Sequence, residues 1–436
     1  MSQATGLALG PLPLQAEERT YRKVTRRIVP FLFLCYLAAY LDRVNVAFAK
    51  LQMLGDLRFS EQAYAFGASV FFIGYVLVEV PSNVILHRVG ARLWIARIML
   101  TWGLLSGAMA FVRTPLAFYA VRFLLGVAEA GFIPGVLLYL TYWFPARRRG
   151  RITAIFLTAI PMAGIFGGPL SGWILGAVSG AYGLGGWQWL FLIEAVPSLV
   201  LGVVTLFYLH DRVASATWLD EDEKRVIAGN IAREAAEKEN LSHLSAAFRT
   251  PRVWLLGLIY FGIVSGIYLN SFWVPTIIKQ TGVADPLTIG LLTAVPSVVA
   301  VVAMIALNSS ADRARERRWH TVAPCLVTAA GFALTAWAGG NTAVALVGLT
   351  LAVAGASSAQ AAFWSLPAAF LGGAAAAAGI ALVNALGNLA GFTTNNVVGW
   401  LAGATHGNAA SLTLFAAVMA ASGALVLAVP GRLVNK

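Results

Sequence analysis

"NVILHRVGARLW" (residues 83–94) and "NSSADRARERRW" (308–319) align without a gap. Asn83 falls on Asn308, Arg88 on Arg313, Arg92 on Arg317 and Trp94 on Trp319. Four matches are weak taken alone. They gain weight because each segment interrupts a long apolar run at the same place, between the second and third apolar stretches of its half. The pattern reads as a duplication, and duplicated halves are a transporter architecture with the binding site near the midplane between them.

Working outward, hydropathy gives twelve candidate spans: 28–49, 63–86, 92–112, 116–139, 152–176, 188–209, 253–276, 286–308, 320–338, 342–364, 376–402 and 410–430. Each is close to the roughly 20 apolar residues a membrane helix requires. Charged residues make up 11% of the 436-residue chain, less than half the share in soluble domains, which excludes that class. The ten-residue alternation of a β-barrel is absent. The predicted fold is an all-α integral membrane protein of twelve helices in two pseudo-symmetric six-helix bundles.

The net charge of +12 would suit nucleic acid, but the basic residues gather at span ends, where they set topology. Arg22, Lys23, Arg26 and Arg27, then Arg88 and Arg92, then Arg147–Arg149 with Arg151, and finally Arg313, Arg315, Arg317 and Arg318 fall on one side. Only Lys50, Arg58, Arg113 and Lys279 fall on the other. Both termini are therefore expected in the cytoplasm. The domain reading is a tail (1–27), a first bundle (28–209), a linker (210–252), a second bundle (253–430) and a short tail (431–436). "WLDEDEKRVIAGNIAREAAEKEN" (218–240) reads as a solvated linker helix, with Asp220 and Glu223 in capping-box spacing. Cys35 and Cys325 lie in apolar runs and read as packing residues.

The ionisable residues inside spans are Asp42, Arg43, Glu79, Arg97, Arg122, Glu129 and Glu194, all in the first half. Intramembrane charges are functional by default. With a rise of about 1.5 Å per residue, Asp42 and Arg122 fall at nearly the same depth, and Glu129 about 10 Å further toward the cytoplasm on the face of Arg122. The expectation is one column in one cavity: Asp42, Arg43 and Arg122 above, Glu129 below. An arginine fork binds a carboxylate in two places, so the set suits an anionic substrate coupled to protons; a static ion-pair network is the structural alternative. Glu79, beside Pro81, reads as a gate or a partner of the basic loop, Arg97 as a snorkelling residue and Glu194 as a structural partner. In the second half Tyr268, Asn270, Trp273, Gln360, Trp364, Asn384 and Asn388 read either as substrate contacts or as helix glue. "GIFGGPLSG" (164–172) reads as helix contact.

"YLDRVNVAFA" (40–49), "GYVLVEVPSNVILHRVGARLW" (74–94), "RFLLGVAEAGFIPGVLLYLTYWFPARRRGR" (122–151) and "WSLPAAFL…AGIALVNALGNLAGF" (364–392) resemble the anion:cation symporter branch of the major facilitator superfamily. The likeness covers essentially the whole chain and is nearest to the bacterial tartrate-type carriers. It implies proton symport of an organic acid such as tartrate, a sugar acid or an aromatic acid across the bacterial inner membrane, driven by the proton gradient without a cofactor. It implies proton coupling at Asp42 and Glu129, substrate binding by Arg43, Tyr40 and Tyr75, and Arg122 linking the two. Trp364 and Asn384 match the second-half side of the site, and Asn388, four residues on, shares the helix face of Asn384. Gating falls to Glu79, Arg88, Arg92, Asp312 and Arg313. The alanine-rich "AAFLGGAAAAAG" (368–379) departs from the polar loop usual in the branch.

The partners expected are a small organic anion, protons and the bilayer, with no nucleic acid, and the chain is expected to act as a monomer. Rival readings are an efflux or exchange carrier for acids or drugs, a sodium-coupled symporter and a ligand sensor. An enzyme is not supported, because no nucleophile–base pair, metal cluster or cofactor motif occurs.

Overall fold

The computed structural model describes residues 14–237, 251–370, 375–405 and 407–434. Within the lipid every backbone amide must be satisfied inside the chain, which leaves helices as the solution for so apolar a sequence. The first half comprises α1 (Leu14–Leu57), α2 (Glu61–Val89), α3 (Ala91–Ala108), α4 (Pro115–Glu129), α5 (Phe132–Trp143), α6 (Ala146–Leu157), α7 (Ala159–Ala177) and α8 (Gly186–Tyr208). The linker helix α9 (Glu221–Glu237) follows. The second half comprises α10 (Pro251–Gln280), α11 (Pro286–Ala314), α12 (Trp319–Trp337), α13 (Thr342–Phe363), the short α14 (Ser365–Phe370), α15 (Ala375–Thr405) and α16 (Ala409–Leu427), ending in α17 (Gly431–Val434).

Among the described residues, eleven helical stretches are long and apolar enough to cross a membrane. The 31-residue α15 holds the remaining place, packed on α2 and α10. Two departures from the predicted spans are informative. Helix α1 already begins at Leu14, so part of the predicted tail is helical. The fourth span is broken: α4 stops at Glu129 and α5 starts at Phe132. Gly131 sits at the break with φ +89°, a left-handed conformation that costs glycine little. The buried carbonyl of Ala130, freed by the break, accepts a hydrogen bond from Ser82 Oγ at 2.7 Å, so no orphan acceptor is left there.

The linker helix carries the predicted capping box: Glu223 N donates to Asp220 Oδ1 (2.7 Å) and Asp220 N to Glu223 Oε2 (3.0 Å). It docks on the start of α1 through Lys23–Glu223 (2.6 Å) and Asn230–Tyr21 (3.1 Å). This fixes a linker end of the molecule and, opposite, a far end. The halves meet along α7 with α11 and α2 with α15. Gly168 and Gly290 face each other there, and a Cβ on either would overlap the other's backbone carbonyl. Small residues thus set the distance between the halves, as close packing in lipid requires. At the far end Lys50 Nζ lies 3.8 Å over the Trp273 ring and Lys279 Nζ donates to Leu51 O at 2.7 Å. Both predicted packing cysteines are buried and free.

Candidate substrate and ion site

Arg43 reaches from α1 to Glu129 at the end of α4, where Nη2 donates to Oε1 in a buried ion pair. The rings of Phe71 (5.5 Å), Tyr75 (5.6 Å) and Tyr40 (5.9 Å) surround its guanidinium. This cage removes water from the cation and leaves Glu129 as its main countercharge, while cation–π contact returns part of the lost solvation. Arg43 Nε has no acceptor among the described residues. The helix break at Ala130–Gly131 follows Glu129 directly, so the carboxylate stands at the end of a helix.

Arg122 is fully buried, 5.1 Å from the same Phe71 ring that Arg43 approaches. It donates through Nη2 to Ala68 O (3.2 Å) and through Nε to Gly67 O (3.4 Å). It is therefore held against the backbone of α2, with Nη1 unpartnered. Asp42 is elsewhere. Trp102 Nε1 (3.0 Å), Ser106 Oγ (2.7 Å) and Ser198 Oγ all donate to it from α3 and α8.

The predicted column is thus corrected in three respects. Asp42 turns into the interior of the first bundle, because a neighbour on a helix points about 100° away from Arg43. Arg43 and Glu129, assigned to different depths, are in contact. The pair also does not line the cavity between the halves. That cavity, about 820 Å³ counted to its mouth, is bounded by Tyr40, Asn45, Ser171, Asn270, Ser271 and Ser297 among others. Tyr40 joins the two places: its ring faces Arg43, and its hydroxyl hydrogen-bonds Ser271 at 3.0 Å across the halves.

Away from Lys279 at the far end, the second half meets the first at these positions with neutral groups. Asn384 Nδ2 lies 3.4 Å from Glu79 Oε1, the longest of these polar contacts. Asn396 donates to Ser69 at 2.6 Å, and the Tyr268 ring packs on Phe72 at 4.6 Å. Trp364 packs on Tyr260 (4.9 Å), and Asn388 is half-buried on α15. Of the predicted gating residues, Arg92 pairs with Asp211 at the start of the linker (3.9 Å). Arg88 and Arg313 are exposed, and the Asp312 side chain lies outside the described residues. The same holds for much of the alanine-rich loop.

Sequence reasoning missed the donors to Asp42 and the break after Glu129. Gly131 and Pro134 were the visible signals for the break.

Two helical bundles joined by a linker, with buried charge in one and facing polar groups in the other, define a polytopic transporter rather than an enzyme. The sequence profile of the Major Facilitator Superfamily matches residues 32–395, and the chain belongs to that family. It is 49% identical to the "Putative metabolite transport protein NicT" of Pseudomonas putida, over 95% of each chain. It is 48% identical to a "Putative tartrate transporter" of Agrobacterium vitis, over 94% of each. A "Quinolone resistance transporter" of Acinetobacter baumannii is 41% identical over 86% of this chain and 87% of its own. Among solved structures, the partially occluded inward-open xylose transporter XylE from E. coli superposes with a TM-score of 0.74 at 15% identity, over 93% of this chain and 98% of that one.

Proposed function

We propose that this transporter carries a small organic carboxylate with protons, by alternating access of its two halves, as a single chain in the bacterial inner membrane with its linker end in the cytoplasm. The observation that carries the reading is the caged Arg43–Glu129 pair, whose arginine retains an unfilled donor. A substrate carboxylate that docks on Arg43 competes with Glu129. A carboxylate displaced from its buried countercharge is strongly destabilised unless it takes a proton. Anion and proton binding therefore favour one another at this pair. Tyr40 and Tyr75 orient the anion, and Asn384 and Trp364 face it from the second half. Asp42, ionised in this arrangement, takes up a second proton later in the cycle, and Arg122, which shares the Phe71 ring with Arg43, senses the state of Glu129. The names of the relatives from Pseudomonas and Agrobacterium point to a metabolite such as tartrate.

The test is a thermal-shift screen of purified protein against a panel of carboxylates, followed by proteoliposome uptake of the best ligand with and without an inward proton gradient. Stabilisation by a hydroxy-diacid and gradient-driven accumulation support the reading. Uptake indifferent to the gradient contradicts it.

The relative named for quinolone resistance favours a second reading, export. A quinolone is itself a carboxylate and fits the same arginine. Counterflow with L-tartrate and with ciprofloxacin separates the two.

A further inference from the structure

The first half holds another buried carboxylate that the scheme above leaves unused. Glu194 is the only charged residue of α8 and is 3% exposed. Ser171 Oγ donates to its Oε1 at 2.7 Å. Its Oε2 is buried with no hydrogen-bond partner. Asn45 stands beside it, 1% exposed, with both atoms of its amide unpartnered. Asn45 and Ser171 also line the cavity between the halves. Glu194 therefore lies one side chain behind the cavity wall.

The groups facing Glu194 come from three helices. From α1, Asp42 is the charged neighbour. From α3, Trp102 and Ser106 are turned to Asp42, and the helix's inner arginine, Arg97, stacks on Trp94 at 3.9 Å. From α7 comes Ser171, and Ala159–Ala177 contains no charged residue. Two carboxylates thus share one interior, with no cation among the described groups that face Glu194. They are not equivalent. Three donors converge on Asp42, as suits an ionised carboxylate. Glu194 accepts one hydrogen bond within normal geometry, from Ser171, and its second oxygen stands beside the Asn45 amide, a group that can donate to a carboxylate or accept from a carboxyl O–H.

We propose that Glu194 is an additional proton-carrying residue of the transport cycle, loaded from the cavity through Asn45 and Ser171. A hydronium ion in the cavity water breaks one O–H bond and is left as neutral water as an O–H bond forms at Glu194 Oε2, which then donates to the Asn45 amide oxygen; on release the Oε2–H bond breaks and a water molecule takes the proton. An alkali cation needs a larger oxygen shell than Glu194, Asn45 and Ser171 supply.

The inference rests on the proton-coupled reading, and the experiment separates the two. Wild type, Glu194→Gln and Ser171→Ala are reconstituted in proteoliposomes with radiolabelled L-tartrate. Counterflow certifies folded protein, and accumulation is measured at graded proton gradients. The expectation is that Glu194→Gln keeps counterflow within about threefold and loses one proton per substrate in the flux ratio. Ser171→Ala is expected to move the pH profile of accumulation toward alkaline pH, since it loses the donor to the ionised form. If Glu194→Gln and Ser171→Ala both keep the wild-type flux ratio and pH profile, the role of Glu194 is overturned while proton symport stands. If wild type ignores the proton gradient, the broader reading fails first. Accumulation driven by sodium and lost in Glu194→Gln overturns the assignment of the proton.

Discussion

The turn between α2 and α3 and the turn between α11 and α12 are built alike from different residues. Before α3, Asp211 from the start of the linker accepts at Oδ1 the backbone N–H of Arg92 (2.8 Å); before α12, Glu316 from the turn itself accepts at Oε1 that of Trp319 (2.8 Å). In each case a carboxylate satisfies the first amides of the third helix, as helix N-termini demand. The interiors of the same two halves diverge completely. The first buries Asp42, Arg43, Arg122, Glu129 and Glu194. The second, among the described residues, buries Ser, Thr, Asn, Tyr and Trp but no Asp, Glu, Lys or Arg. The two turns share a device, while the buried Asp, Glu and Arg side chains among the described residues sit on one side. One half can then change its charge with the proton while the other offers an unchanging neutral surface.

The comparison is broken most severely at Arg43. Arg43→Ala is expected to abolish uptake, a loss above 100-fold, and to cost about 3–5 kcal/mol because Glu129 is left buried without its partner. A paired Arg43→Met, Glu129→Leu variant should recover most of that stability and none of the transport, which thermal denaturation and uptake measured together would show. If the pair is only a structural clamp, the double variant transports.

Asp42→Asn comes next. It turns an acceptor into a donor against three existing donors, a cost of about 1–3 kcal/mol. Exchange of substrate should persist while gradient-driven accumulation falls at least tenfold. On the neutral side, Asn384→Ala removes a single long contact to Glu79, so a KM change of a few-fold at unchanged proton coupling is expected. A collapse of coupling in that variant would erase the division between the halves.

The smallest effect lies at the linker end, outside the membrane. Burial, with Arg27 and Arg92 nearby, holds the His210 imidazole below its ordinary value of 6.5. The unfolded chain then binds this proton more readily than the folded one, so stability falls as pH drops below about 6.5. His210→Gln should flatten that slope slightly in melting curves between pH 5 and 7.

Much of this architecture was legible in sequence. Spans, linker helix and duplication are local or periodic features, and the capping box of Asp220 and Glu223 is written in four residues. The division of charge between the halves was equally plain. The internal arrangement was not. Counting rise per residue treats Arg43 as a point, whereas its long side chain covers the gap to Glu129. The donors to Asp42, namely Trp102, Ser106 and Ser198, come from two other helices whose rotation about their axes no spacing rule fixes. Gly131 and Pro134 carried the signal of a broken fourth span, but continuous hydropathy across 116–139 masked it.

The most direct test of the linked arginine and carboxylate is simultaneous recording of substrate uptake and internal pH in proteoliposomes bearing wild type or Glu129→Gln. Wild type should acidify the interior as the acid enters and accumulate it against its gradient, and Glu129→Gln should exchange the acid without accumulating it. Equal accumulation and acidification by the two proteins would contradict the account.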